Sequence, residues 1–225
     1  MPVYKIQEDN IVFPHPSLAN ADGLLGIGGD LSPERLLLAY ENGIFPWNNE
    51  GEEILWWCLT PRLILRPDKI KISKSLRQLI KNQKLKITFD QSFKEVISNC
   101  SLIQRKDQDS SWIHSDYISA FIKLFECGIA HSVEVWKSDK LCGGLYGLLI
   151  GNMFCGESMF SNESNMSKIA LVQLCSKLKE KNIEIIDCQQ ETEHLKSLGA
   201  ELMEKEAFFK FLEKNKNTPQ KYQRW

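Results

Sequence analysis

The apolar run Ile183–Gln189 ends in Asp187-Cys188-Gln189, and these are the residues with the most chemistry to offer. In an extended strand side chains alternate, so Asp187 and Gln189 share one face and Cys188 takes the other. A carboxylate at the end of an apolar strand is costly unless hydrogen-bonded, so Asp187 must have partners. Two readings follow: Asp187 orients the Gln189 amide beside a reacting amine, or it caps the turn after the strand. Cys188 is disfavoured as a nucleophile, since its face points away from Asp187 and no histidine is near it in sequence. A second carboxylate, Glu157, lies in Cys155-Gly156-Glu157-Ser158-Met159-Phe160-Ser161, between two apolar runs. Partly desolvated, it either receives a cationic substrate group or pairs with a buried lysine or with backbone amides.

Other motifs offer less. Gly26-Ile27-Gly28-Gly29-Asp30 lacks the Lys-Ser/Thr of a nucleotide loop and is followed by an acid, so it reads as a tight turn. The four histidines have no metal-ligand spacing, and no metal is expected. Of the six tryptophans, Trp47, Trp56, Trp57 and Trp112 sit beside prolines, turns or polar runs. Each either packs in the core or offers a face for stacking on a nucleobase.

The charge is lopsided. Net charge is −1, yet Arg66 to Lys86 holds eight basic residues against Asp68 alone, a local +7 that leaves −8 for the rest. Such a patch either holds phosphates through counterion release or is an ordinary solvated surface. Within it, Lys71, Lys74, Arg77, Lys81 and Lys84 are the candidate phosphate-binding residues.

These residues need a scaffold. Pro33 at a first helical position, Ser32 as cap and Gly43 as a left-handed stop predict an early helix. Asn48-Asn49-Glu50-Gly51 reads as a turn between Phe45-Pro46-Trp47 and Ile54-Leu55-Trp56-Trp57. Alternation over Lys84–Phe89 predicts a half-buried strand. Phe93, Val96, Ile97 and Cys100 fall at helical spacing. Ser115 can cap a further helix carrying Ile118, Phe121, Ile122 and Phe125, closed by Gly128. Strands over 131–136, 141–150 and 153–160, a helix over about 166–181 and the strand 183–189 complete an α+β order with a largely antiparallel centre. The expected division is a small N-terminal lobe, residues 1–65, and a catalytic domain, residues 66–225. Lys214 to Trp225 reads as a polar tail.

A chain of 225 residues, 43% hydrophobic and 25% charged, has the composition of a folded protein and no need of disulfides. The seven cysteines include no C-x-x-C pair and read as reduced thiols. No run of ~18 apolar residues and no signal-peptide core is present, so a cytoplasmic protein without a membrane partner is expected.

Taken together, several strings resemble the leucyl/phenylalanyl-tRNA–protein transferase family. They include Gly28-Gly29-Asp30-Leu31-Ser32-Pro33-Glu34-Arg35-Leu36, Gly43-Ile44-Phe45-Pro46-Trp47, Leu55-Trp56-Trp57 and His131-Ser132-Val133-Glu134-Val135-Trp136. Gly143-Gly144-Leu145-Tyr146-Gly147, the Glu157 segment, Ser167-Lys168-Ile169-Ala170-Leu171, Asp187-Cys188-Gln189 and His194 to Ala200 continue it in family order, over about residues 10 to 212. The resemblance implies a small lobe on a C-terminal acetyltransferase-like (GNAT-like) domain, a mostly antiparallel sheet flanked by helices. It implies transfer of Leu or Phe, with Met a further candidate, from aminoacyl-tRNA to proteins beginning with Arg or Lys, marking them for degradation, without a cofactor. By motif position, Asp187 and Gln189 form the amine-activating relay and Glu157 binds the acceptor, while Lys71, Lys74, Arg77, Lys81 and Lys84 of the basic patch become the candidate tRNA-binding residues. Trp47 and Trp112 flank the terminal adenosine, and Leu145, Phe154, Met159, Leu171 and Leu174 form the aminoacyl pocket. Phe121 stands where the family usually has Tyr. For Phe154 and Glu157 to face one cavity, the strand between them must contain a bulge or a twist.

The donor ester is already activated, so aligning two substrates is the main task, a contribution that can reach ~7–11 kcal/mol. Two rival readings remain. A coenzyme-A-dependent acetyltransferase would need an anion cradle before the helix at 166, where Ser161 to Ser167 has no glycine and carries Glu163. A non-enzymatic RNA-binding module leaves Asp187, Gln189 and Glu157 without a use.

Overall fold

The computed structural model describes residues 3–82, 84–103, 112–220 and 223–225. A four-stranded sheet comes first. It is built from β1 (Tyr4–Ile6), β2 (Leu24–Gly28), β3 (Phe45–Pro46) and β4 (Leu55–Trp57), in the order β1-β2-β4-β3. Between β2 and β3 lies α1 (Pro33–Glu41). Gly43 follows it at φ +70°, a conformation that stops the helix and that a Cβ would strain. Ser32 does not cap α1 with its side chain. Instead its N–H donates to Asp30 Oδ1 at 2.7 Å, because Asp30 also holds Arg35 from the helix, Nη2 to Oδ2 at 3.0 Å.

The chain then enters a seven-stranded sheet with β5 (Arg62–Leu65), so residues 1–65 contribute to both sheets. There follow α2 (Lys74–Asn82), β6 (Leu85–Phe89), α3 (Phe93–Ser101), α4 (Ser115–Glu126), β7 (Ala130–Lys137), β8 (Lys140–Ile150) and β9 (Met153–Ser161). Next come α5 (Met166–Glu180), β10 (Ile185–Gln189), α6 (Glu193–Ser197), β11 (Glu201–Met203) and α7 (Lys205–Lys216). The order is β11-β5-β10-β9-β8-β7-β6, antiparallel except for the β9–β10 pair. The whole is α+β. Ser115 is the first residue of α4 rather than its cap, a place taken by His114. β10 starts at Ile185 because the Ile183 N–H closes α5, donating to Leu178 O at 2.9 Å.

Alternation along β8 sorts two cores. Tyr146 joins Phe93, Phe121, Tyr40 and Trp56 on one face, while Leu145 joins Phe154, Leu171, Leu174 and Ile186 under α5 on the other. The four tryptophans separate: Trp56 is fully buried, with its Nε1 donating to Gly28 O at 2.8 Å, Trp112 is buried, and Trp47 and Trp57 are half-buried. No helix among the described residues is long and apolar enough to cross a membrane.

Candidate functional site

Two bulges shape the site. On β9, Ser158 pairs with Tyr146 and Gly156 with Gly147, so Glu157 is the extra residue and the strand's alternation breaks there. The break lets Phe154 and Glu157 line the same cavity, of about 380 Å³. On β10, Asp187 pairs with Ile64 and Gln189 with Leu63, leaving Cys188 unpaired and Gln189 left-handed at φ +57°. This second bulge overturns the simple alternation expected for 187–189. Cys188 and Gln189 line the cavity, and Asp187 does not.

Asp187 instead turns into the opposite core. Its carboxylate accepts a two-pronged bond from Arg62, Nε to Oδ1 at 2.7 Å and Nη2 to Oδ2 at 2.8 Å. The Arg62 guanidinium lies between the rings of Phe45 and Phe208, 5.1 and 4.9 Å from their centroids. Although burial opposes the cation, the adjacent Asp187 charge raises the Arg62 pKa, so Arg62 stays charged. Asp187 Oδ1 also accepts the Gln189 backbone N–H at 3.0 Å. The carboxylate therefore holds the left-handed backbone of Gln189, not its side-chain amide.

That amide reaches Glu157: Gln189 Nε2 donates to Oε1 at 2.9 Å. Burial pushes the Glu157 carboxyl up to about 8, and the nearby Asp187 charge adds to the rise. The Tyr40 hydroxyl, the Gln189 amide and the Arg62 charge act in the opposite direction. Glu157 in turn raises the pKa of Tyr40, which burial already pushes well up. At neutral pH the floor of the site thus holds a carboxyl poised to take up or release a proton. The Cys188 thiol, pushed far up by burial, stays protonated and is no nucleophile.

Around this polar corner the walls are apolar. Leu145, Phe154 and Met159 come from β8 and β9, Leu171 and Leu174 from α5, and Ile186 from β10. Trp47, directly after β3, and Trp112, just before α4, line the same cavity. Trp47 is held by its carbonyl, which accepts Trp57 Nε1 at 2.8 Å. Trp112 packs edge-on against Tyr117, whose hydroxyl donates to Asn48 Oδ1 at 2.6 Å. Phe121 is fully buried against Tyr146 and does not line the cavity. His194 and Leu195 of α6 close one rim. A second, more polar groove of about 770 Å³ runs past Asn20, Asp22, Cys58 to Pro61, Glu191 and Lys205, and shares Gln189 and Gln190 with the first.

The basic residues form a separate surface. Lys71, Lys74, Arg77, Lys81 and Lys84 are all exposed, and none forms an ion pair with another described residue. The ridge adjoins the cavity rim, since the Lys71 N–H donates at 2.8 Å to the carbonyl of Leu198, just past α6. In the turn before α5, Glu163 pairs with Lys137 at 2.6 Å, which keeps a carboxylate where an acetyltransferase would need an anion cradle. No cluster of three or more metal-ligating side chains occurs among the described residues.

Arg62, Tyr40 and the polar groove were not legible as site features in the sequence. A signal for Arg62 was present: an arginine opening the apolar run Arg62-Leu63-Ile64-Leu65 demands a buried carboxylate, and Asp187 demands a buried cation.

The leucyl/phenylalanyl-tRNA protein transferase family pattern matches residues 64–213, and the pattern of the leucyl/phenylalanyl-tRNA protein transferase N-terminal domain matches residues 29–65. A Flavobacterium johnsoniae protein is 50% identical over 203 residues, covering 90% of this chain and 96% of that one. One from Maridesulfovibrio salexigens is 49% identical over 95% of this chain and 89% of its own. One from Desulfatibacillum aliphaticivorans is 47% identical over 100% of this chain and 96% of its own. All three are named leucyl/phenylalanyl-tRNA–protein transferase. Among solved structures, a conserved protein of unknown function from Bacteroides thetaiotaomicron superposes with a TM-score of 0.46 at 13% identity, over 60% of this chain and 53% of that one. That likeness is too distant to carry an assignment. The sequence matches, spanning nearly the full length of their relatives, are not: this chain belongs to the leucyl/phenylalanyl-tRNA–protein transferase family.

Proposed function

We propose that the protein is a cytoplasmic aminoacyltransferase that moves Leu or Phe, with Met a further candidate donor, from the 3′ end of an aminoacyl-tRNA to the α-amine of a protein beginning with Arg or Lys, and so marks that protein for degradation. The observation that carries this reading is the Gln189–Glu157 pair at the junction of an apolar cavity and a polar groove. A reaction joining a greasy acyl group to a polar chain end needs such a junction.

In this reading Leu145, Phe154, Met159, Leu171 and Leu174 receive the acyl side chain, and Trp47 and Trp112 flank the terminal adenosine. An apolar pocket distinguishes shapes by only ~1–3 kcal/mol per methylene, which suits a site that takes both Leu and Phe. Lys71, Lys74, Arg77, Lys81 and Lys84 hold the tRNA phosphates. The acceptor chain lies in the polar groove, its leading nitrogen beside Gln189. A free α-amine titrates at ~7.7–8, close to the Glu157 carboxyl, so a proton passes between them at little energetic expense. The neutral amine attacks the acyl carbon, the new C–N bond forms, the ester C–O bond breaks, and the ribose hydroxyl leaves with a proton. Asp187 acts at one remove, holding the Gln189 backbone while Arg62 balances its charge. The seven-stranded sheet with α5 is read as a GNAT-like catalytic domain and the four-stranded sheet as its small companion lobe.

The test is direct. Radiolabelled Leu-tRNA is incubated with a peptide beginning with Arg and with a control beginning with Asp. Labelling of the first alone is the expected result; labelling of both or neither removes the acceptor assignment.

A further inference from the structure

Described residues at the end of α7 and beyond it dock on the large sheet, and Trp225 among them reaches Phe154, a wall of the cavity. Asn215, buried, donates Nδ2 to Ile150 O at 2.8 Å and accepts the Asn152 N–H on Oδ1 at 2.7 Å. Gln220 Oε1 accepts the Gly151 N–H at 2.8 Å. Three bonds thus clamp the chain over the β8–β9 hairpin at one end of the large sheet. Beyond it the Arg224 guanidinium lies 4.7 Å over the Phe125 ring, and the Trp225 N–H donates to Asp90 Oδ2 at 2.8 Å. The Trp225 indole stacks on His131 with centroids 4.3 Å apart and planes 9° from parallel. His131 is itself fixed, its Nδ1 2.8 Å from the same Asp90 oxygen. The indole also approaches Phe89 at 5.9 Å and Phe154 at 5.8 Å.

Phe154 is the cavity wall that this arrangement backs. Its ring is fully buried and lies over Gly147, where an added Cβ would come within 2.6 Å of the ring. It cannot sink toward the sheet. The other apolar walls, on β8, β9, β10 and α5, are backed by regular elements, whereas Trp225 lies outside any helix or strand and beyond the stretch that the family pattern matches, which ends at 213.

We infer that Trp225 is a specificity-setting positioning residue: by holding Phe154 it fixes the depth of the cavity, and with it the preference among donors of different side-chain size. The inference rests on the acyl-pocket reading above. With the indole gone, Phe154 gains room to withdraw, the cavity deepens, and the larger acyl group gains relative to the smaller.

The experiment compares kcat/KM for Phe-tRNA and Leu-tRNA in the wild type, Trp225→Ala and Trp225→Phe. Trp225→Ala is expected to raise the Phe/Leu ratio by about three- to tenfold, mainly through KM, less than the ~10–200-fold that a whole methylene is worth in an apolar pocket, because the indole acts through Phe154. Trp225→Phe, which keeps a ring against His131, is expected to restore most of the wild-type ratio. A purely structural role would lower both donors equally, and a ratio within twofold of wild type in Trp225→Ala overturns the inference. If that variant fails to fold, Trp225→Leu takes its place under the same criterion. A wild type that transfers neither donor would instead defeat the acyl-pocket reading, so the two failures are told apart.

Discussion

Arg62 and Asp187 meet through two parallel hydrogen bonds of 2.7 and 2.8 Å, with both side chains about 1% exposed. The pair bridges neighbouring strands directly behind the bulge that turns Gln189 into the cavity. Removing one partner strands the other's charge in the core, which typically costs about 3–5 kcal/mol. Asp187→Asn is therefore expected to lower both stability and activity sharply. The double variant Arg62→Met/Asp187→Leu separates the two effects. Urea denaturation should show much of the stability restored, while single-turnover transfer stays low because the Gln189 N–H has no acceptor. Activity returning along with stability would show that Asp187 matters only to folding.

Gln189→Ala tests the polar corner itself. The amide donates to Glu157 at 2.9 Å and is only partly buried, so its removal leaves the fold intact. Single-turnover transfer at saturating donor and acceptor is expected to fall by about 10²-fold, the scale of a missing positioning or proton-transfer group. An unchanged rate would remove Gln189 from the chemistry.

Much of the scaffold could be read from periodicity, because amphipathic alternation and helical spacing are local. Phe93, Val96, Ile97 and Cys100 are all buried on α3, and the three long central strands lie where alternation and turns set them. An irregularity between Phe154 and Glu157, a bulge or a twist, was also accessible once the family resemblance put both at one cavity, and the structure has the bulge. The bulge at Cys188 was not. It depends on β5 pairing across more than a hundred residues and on the Arg62 charge drawing Asp187 to the far face. The terminal segment misled for the same reason: Lys214 to Trp225 is polar in composition, yet Asn215 and Trp225 dock on hairpin and strand residues that only the folded sheet assembles.

The basic ridge makes a prediction in salt. Lys71, Lys74 and Arg77 are exposed and free of ion pairs with described residues, so each is available to displace a counterion from a phosphate. Reversing all three charges is expected to weaken tRNA binding and to flatten the plot of log Kobs against log salt by about 2–3, at ~0.7–0.9 for each phosphate no longer neutralised. Filter binding across a series of salt concentrations gives the slope. A slope equal to that of the wild type would place the tRNA footprint on another face.

Glu157 makes a prediction in pH. Burial lifts its carboxyl from an ordinary 4.5 to about 8 in the folded chain, with Asp187 adding to the rise and Tyr40, Gln189 and Arg62 opposing it. Between those values the folded protein retains a proton that the unfolded chain has released, so this group's contribution to stability is complete below about pH 4.5 and is lost as pH rises toward 8. At about 1.4 kcal/mol per pH unit, the loss across that window is on the order of 3–5 kcal/mol. Glu157→Gln keeps the shape and the hydrogen-bonding capacity but cannot ionise. Its stability, measured by urea denaturation at about pH 5, 6.5 and 8, is expected to fall less than that of the wild type, the gap widening with pH. Parallel curves would mean that Glu157 is already ionised in the folded protein at the acid end of that range, and the proton exchange with the incoming amine would lose its basis.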